Sequence, residues 1–183
     1  MTVKEILLEA ARKIGKYQQV YDYFEGIDQA GETLVEELLD CFHTIENELA
    51  LDYLPLYAEK EIFSQSGAVY FSQLDKAAVR IVSVQDEWGN DLKYELFPQY
   101  LKTQPGKIKI RYSYTPEKKS LTDKSDFGAR VSARLFAYGM AAEYAVQNGL
   151  FQEAGVWESK YKDAIAAAYR ATPNKKIASR RWV

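Results

Sequence analysis

Between Tyr57 and Pro116 the apolar residues of this chain change spacing, from every third or fourth position to every second, and beyond Pro116 they change back. A helix returns a side chain to the same face after 3.6 residues and a strand after two, so the chain must build helices at both ends and strands in its middle. The clearest strand signal is Lys107–Tyr114, where Ile108, Ile110, Tyr112 and Tyr114 alternate with Lys107, Lys109, Arg111 and Ser113 after the turn residues Pro105-Gly106. Glu61–Phe63, Ala68–Phe71, Ala78–Val84 and Leu92–Leu96 read as further short strands. Trp88-Gly89-Asn90 between two of them predicts a hairpin over Val79–Leu96.

The first helical pattern carries Val3, Ile6, Leu7, Ala10, Ile14 and Tyr17, with Thr2 and Glu5 placed as a reciprocal cap. Gly15 loosens its end, and 26–31 reads as a loop. The second begins near Asp28, carries Leu34, Leu38, Phe42, Ile45 and Leu49, and stops at Pro55; Glu32, Glu36, Glu37, Asp40, Glu46 and Glu48 fall mostly off that stripe, as a solvated face. After a polar connector, Ser125 or Asp126 is placed to cap a third helix bearing Phe127, Val131, Leu135 and Tyr138. That helix is slim, with Ala133, Ala137, Gly139, Ala141, Ala142 and Ala145. Asn148-Gly149 breaks it, and Phe151–Arg170 forms a fourth helix with Ala154, Trp157, Tyr161, Ile165 and Ala168 on one face. The short break predicts an antiparallel hairpin.

The expected architecture is α+β and mainly α. It is a four-helix bundle from 1–57 and 117–171, with an antiparallel β subdomain, 58–116, inserted between helices two and three, and an extended arm at 172–183.

The 183 residues, 47% hydrophobic and 27% charged, suit one domain with an insertion. No apolar run approaches the length of a membrane span, and the N-terminus does not read as a secretory signal. Cys41 is alone, which excludes an internal disulfide, and one Cys with one His makes a Cys/His zinc site implausible. The charge is unevenly spread. Residues 1–57 hold 12 acidic and 4 basic side chains, whereas 117–183 hold 7 and 12. Packing of the two ends against each other accounts for this, and so does attraction between opposite ends of neighbouring subunits.

Catalytic patterns are sparse. His43 lies on a helix without a triad arrangement, Cys41 sits beside the apolar stripe where a thiol is inert, and no phosphate-binding glycine loop occurs. Asp86, Asn90 and Asp91 are explained by turn chemistry without a cation. No enzyme activity, cofactor or metal is expected. The stretch that stands apart is Thr172–Val183, with four positive charges, no negative ones and a near-terminal Trp. It reads as a disordered end, as a nucleic-acid contact, or as a protein-binding arm in which Ile177 and Trp182 fill pockets while Lys175, Lys176, Arg180 and Arg181 pair with carboxylates.

Three blocks carry a family resemblance: Tyr138-Gly139-Met140-Ala141-Ala142-Glu143-Tyr144, Asn148-Gly149-Leu150-Phe151, and Trp157 to Ala164. Together they resemble the C-terminal helical hairpin of tailed-phage head–tail adaptor (connector) proteins. The segment from Val82 to Pro116 is similar to the β insertion of those proteins, and the Lys-Lys…Arg-Arg-Trp ending to their extended tails. The resemblance implies a non-enzymatic virion protein of the neck, made in the host bacterial cytoplasm. It would form a ring, commonly twelve-fold, below the portal protein and extend the channel for double-stranded DNA, with no membrane involved. It would also offer a platform to a downstream neck or tail protein. Its portal-binding residues would be Lys175, Lys176, Ile177, Arg180, Arg181 and Trp182. The alternatives are a stopper or tail terminator, a DNA-binding packaging module, and an enzyme without a short motif.

Overall fold

The computed structural model of the chain describes residues 1–128 and 131–171. Among them are five α-helices and two three-stranded antiparallel sheets, which corrects the expected four-helix bundle with sheet between its second and third helices. The sheets lie between the third and fourth helices. The expected arm, 172–183, lies outside the described residues.

The extra helix arises at the N-terminus. Helix α1 spans Val3–Lys13 and begins with the reciprocal cap, in which the Glu5 N–H donates to Thr2 Oγ1 and the Thr2 N–H to Glu5 Oε2. Gly15, at φ +72°, then turns the chain into a separate helix α2, Tyr17–Phe24. Only glycine takes that left-handed conformation without strain, so a feature that reads as a frayed end is a corner. A 3₁₀ turn at Gln29–Gly31, capped by Asp28, leads directly into α3, Glu32–Glu48. Beyond α3 the helix widens into a π turn, Leu49–Tyr53, before Pro55 ends it.

The fourth helix also starts later than its sequence pattern suggests. Ser132, not Ser125 or Asp126, caps α4 (Ala133–Gln147) by accepting a hydrogen bond from the Leu135 N–H. Phe127 and Val131 are buried, but both precede the helix. Helix α5 follows as Phe151–Ala171.

Helix α4 is the centre of the helical core, with α1, α3 and α5 all packed on it. Its residues Leu135–Ala141 are all buried, as expected of a helix that is apolar all round. Gly139 sits where α3 and α5 both press on α4. A β-carbon there would stand 2.9 Å from Ile45 Cγ2 and 2.9 Å from Tyr161 Cε2.

In the larger sheet the order is β1 (Leu56–Ser64), β6 (Gly106–Tyr114), β3 (Ala78–Gln85). Ile108, Ile110 and Tyr112 of β6 are wholly buried in a second apolar cluster, which Tyr114 shares with the helical one. On the outer face Lys107 pairs with Glu61 at 3.0 Å and Lys109 with Glu59 at 2.8 Å. The smaller sheet has the order β2 (Ala68–Tyr70), β5 (Tyr100–Lys102), β4 (Glu95–Leu96).

The hairpin expected over Val79–Leu96 forms only at its tip. Leu92 donates to the Val84 carbonyl, Gln85 bridges Asp91, and then β3 and β4 part into different sheets. Leu92 and Tyr94 pack on the second apolar cluster instead of extending a ladder. Strand β3 pairs with the more regular β6, through two irregularities, at Ala78/Arg80 and at Ile81/Ser83.

Candidate functional site

Several residues with catalytic potential are engaged in structure. The Asp86 carboxylate accepts from the Trp88 N–H, the Asn90 N–H and the Asn90 side-chain amide, and these bonds hold it below the usual aspartate range. The turn itself consumes the carboxylate, as the Asx chemistry of such loops would have it. Cys41 is buried, and desolvation with Glu143, Asp40 and Glu37 nearby pushes its thiol up to about 12. His43 Nε2 accepts from the Lys119 N–H at 3.1 Å, so the ring fastens the connector to α3. Among the described residues no group of three or more His, Cys, Asp or Glu side chains is arranged to hold a metal ion, and no helix is long and apolar enough to cross a membrane.

Glu46 is the exception to the wet face of α3, on which Glu32, Glu36, Glu37 and Asp40 are exposed. Glu46 is 1% exposed, beneath the connector that joins the larger sheet to α4. Its Oε1 accepts from Ser125 Oγ at 2.7 Å and from the Asp126 N–H at 3.2 Å. Lys119 and Asp126 form an ion pair beside it at 2.9 Å. Burial raises the Glu46 carboxyl above its ordinary value, against the hydrogen bonds and Lys119, which lower it. No local signal marks this position, because its partners lie 79 and 80 residues further along the chain.

Two concave surfaces lie beside the π turn. Such turns insert an extra residue into the helical ladder and are frequent at functional sites. Here the turn carries Leu51 and Asp52 outward, and Tyr169 of α5 donates its hydroxyl to the Tyr53 carbonyl, which ties the turn to α5.

On one flank is a cleft of about 200 Å³ between α3, α4 and α5. Its rim holds three carboxylates, Glu48, Glu143 and Glu158, and one cation, Lys162, which pairs with Glu158 at 2.6 Å. Ile45 and Ala154 give it an apolar floor. Burial, followed by repulsion from Asp52, Glu143 and Glu158, raises the Glu48 carboxyl. Tyr161 lines the same cleft. It is 4% exposed, and its buried hydroxyl has no hydrogen-bond partner among the described residues. A buried polar atom left unpaired is an unusual expense, so the cleft has an unfilled requirement for a polar group.

On the other flank is a groove of about 350 Å³ lined by Leu51, Pro55, Tyr57, Val79, Arg80 and Val82. Leu51, Tyr57, Val79 and Val82 are all large, apolar and exposed. The β3 irregularities explain two of them. Val79 and Val82 are the residues without a partner on β6, and such bulges re-aim side chains. Arg80 stands between them, exposed and, among the described residues, in no ion pair, hydrogen bond or ring contact. The sequence reading missed this groove, since the alternation of β3 gives no sign of its bulges.

The residues expected to bind a partner, Lys175, Lys176, Ile177, Arg180, Arg181 and Trp182, lie outside the described residues. The end of α5 that precedes them borders a cleft of about 650 Å³ with Arg134, Tyr138, Lys160 and Asp163 on its walls. No protein-family model matches the chain, and no curated protein matches it.

Proposed function

We propose that this chain is a virion structural protein, a head–tail adaptor that forms a ring below a portal and extends the DNA channel toward the tail. The observation that carries the reading is the pair of unlike surfaces beside the π turn, one acidic and polar, the other apolar with an unpaired arginine. Unlike, complementary surfaces on one chain permit a head-to-tail contact, and head-to-tail contacts close into rings when the rotation permits. The resemblance of the α4–α5 hairpin and of the β segment to phage adaptors supplies the biological setting. The ring is twelve-fold in that setting, and 172–183 is the arm that docks on the portal.

The larger sheet favours this reading over a DNA-binding packaging module. Its outer cations Lys107 and Lys109 are already ion-paired with Glu61 and Glu59, and they form no free basic stripe for phosphates. Binding to a portal ring by the full chain, by the chain lacking Thr172–Val183, and by the Trp182→Ala and Lys175→Ala variants tests the proposal. Truncation is expected to abolish binding while the circular dichroism spectrum is retained, and Trp182→Ala to weaken it more than Lys175→Ala. A truncated chain that unfolds, or that binds as well as the full chain, removes the docking role of the arm.

A further inference from the structure

The acidic cleft between α3, α4 and α5 combines features that together specify a ligand. Its rim carries more negative charge than its single lysine neutralises: Lys162 pairs directly with Glu158 and acts on Glu48 only from further off, and Glu143 has only the Gln147 amide as a partner among the described residues. Its floor is apolar, and at its side the Tyr161 hydroxyl is buried with nothing to bond among the described residues. Its volume is that of about six or seven water molecules, at roughly 30 Å³ each. An arginine side chain answers each of these features. Its methylene stem suits the apolar floor, its charge suits the carboxylates, and its fork of five N–H donors can bond a carboxylate and a tyrosine oxygen together.

We propose that this cleft receives an arginine from a second copy of the chain, and that Arg80 is the arginine supplied. Two arginines among the described residues, Arg80 and Arg170, make no ion pair, hydrogen bond or ring contact. Arg170 lies near the end of α5, whereas Arg80 sits within the exposed apolar groove of Leu51, Tyr57, Val79 and Val82. An arginine ringed by apolar side chains is the usual make-up of an interface anchor, and the ring excludes water from the ion pairs once the surfaces meet. The donor groove and the receiving cleft share no lining residue and lie on the two flanks of the π turn. In a head-to-tail arrangement each copy gives an arginine to one neighbour and takes one from the other. This inference rests on the ring-forming reading above and names the contact that would hold neighbouring copies together.

Sedimentation velocity over a concentration series, alone and with a portal ring, tests it. The wild-type chain is compared with Arg80→Ala, Glu143→Lys and Tyr161→Phe, each checked for native circular dichroism. Wild type is expected to self-associate, and Arg80→Ala and Glu143→Lys each to weaken association roughly thirtyfold or more, the range of an anchor residue. Mixing those two variants leaves one sound arginine and one sound cleft per pair, so the mixture is expected to form dimers and stop there. Tyr161→Phe removes only the unpaired hydroxyl. It should leave the free subunit at least as stable as wild type yet weaken association, a combination that a purely structural tyrosine would not give.

Wild-type assembly with undiminished assembly of Arg80→Ala and Glu143→Lys overturns this contact and leaves the ring reading standing. A mixture that grows past dimers also overturns it. Wild type that stays monomeric, both alone and on the portal ring, overturns the ring reading and this contact together.

Discussion

The same substitution, glycine to alanine, should act in opposite directions at two helical positions of this chain. At Gly139 the added methyl would stand 2.9 Å from Ile45 Cγ2, 2.9 Å from Tyr161 Cε2 and 3.1 Å from Ile45 Cδ1. Carbon atoms rest at about 3.5–4.0 Å, so α3 and α5 would each have to retreat by about 0.6 Å or more. Overpacking of this kind costs about 1–3 kcal/mol. The upper half of that range applies, because Tyr161 is a buried ring, Ile45 is β-branched, and the two close in from opposite helices. Alanine recovers about 1 kcal/mol of helix propensity, so the net destabilisation is about 1–2 kcal/mol. For a chain of this size each kcal/mol moves Tm by about 2–4 °C. Gly139→Ala should therefore lower Tm by roughly 2–8 °C.

Gly155 is the control. It lies within α5, is exposed, and has nothing within 4 Å of an added β-carbon. Only the propensity gain of about 1 kcal/mol remains, and Gly155→Ala should raise Tm by roughly 2–4 °C. Thermal denaturation followed by circular dichroism reads both variants. In an Ile45→Ala background, where space is opened, the Gly139→Ala penalty should shrink, giving a coupling measurable in a double-mutant cycle. If both glycine variants shift Tm in the same direction, α3 and α5 do not converge on α4 at Gly139, and the packing described for the helical core is wrong.

Three further outcomes follow from the same geometry. Cys41, buried and with its thiol pushed up to about 12, should resist thiolate-directed alkylation at pH 8 in the native chain and react promptly in denaturant. Mass spectrometry of the alkylated protein checks this. The Glu46 carboxyl is raised in the folded chain above its ordinary value of 4.5, so its contribution to stability is full below that pH and is lost as pH rises through the folded value. The urea midpoint of wild type should accordingly fall more between pH 5 and pH 8 than that of Glu46→Gln, which lacks the titration. Ser125→Ala withdraws the hydrogen bond to Glu46 at a buried site and should destabilise the chain by about 1–3 kcal/mol, again read from the urea midpoint.

Where the sequence was legible, the reason is local. The alternation from Lys107 specifies the burial of Ile108, Ile110 and Tyr112 in β6, because a strand segregates its faces by a period of two, and it fails only at the strand's end, where Ser113 is buried and Tyr114 half-buried. The cap at Thr2 and Glu5 and the break at Asn148-Gly149 are likewise written in neighbouring residues. What was not legible depends on distant partners. The helix does not start at Ser125, although its hydroxyl accepts from the Phe127 N–H while donating to Glu46 79 residues away; the turn it opens ends at Gly128, whose φ of +55° lies outside the right-handed helical region, and α4 begins only after the cap at Ser132. Glu46 itself looked like one more acidic residue on a wet face, and only the connector lying over it makes it a buried one. The separation of β3 from β4 reflects a competition for partners, in which β6 offers the longer ladder. The two surfaces beside the π turn were invisible for the same reason: Glu48, Glu143 and Glu158 belong to three different helices, and the exposure of Val79 and Val82 follows from bulges that no residue pattern announces.

The central claim is that this chain assembles as a ring on a portal, and the stoichiometry of binding tests it most directly. Purified full-length protein is titrated into a portal ring, and the complex is sedimented and its composition counted. The account predicts saturation at a fixed number of copies per portal ring, twelve in the setting the resemblance implies. Folded full-length protein that leaves the portal ring bare, or that adds to it without saturating, would contradict the account and favour a stopper, a tail terminator or a DNA-binding module.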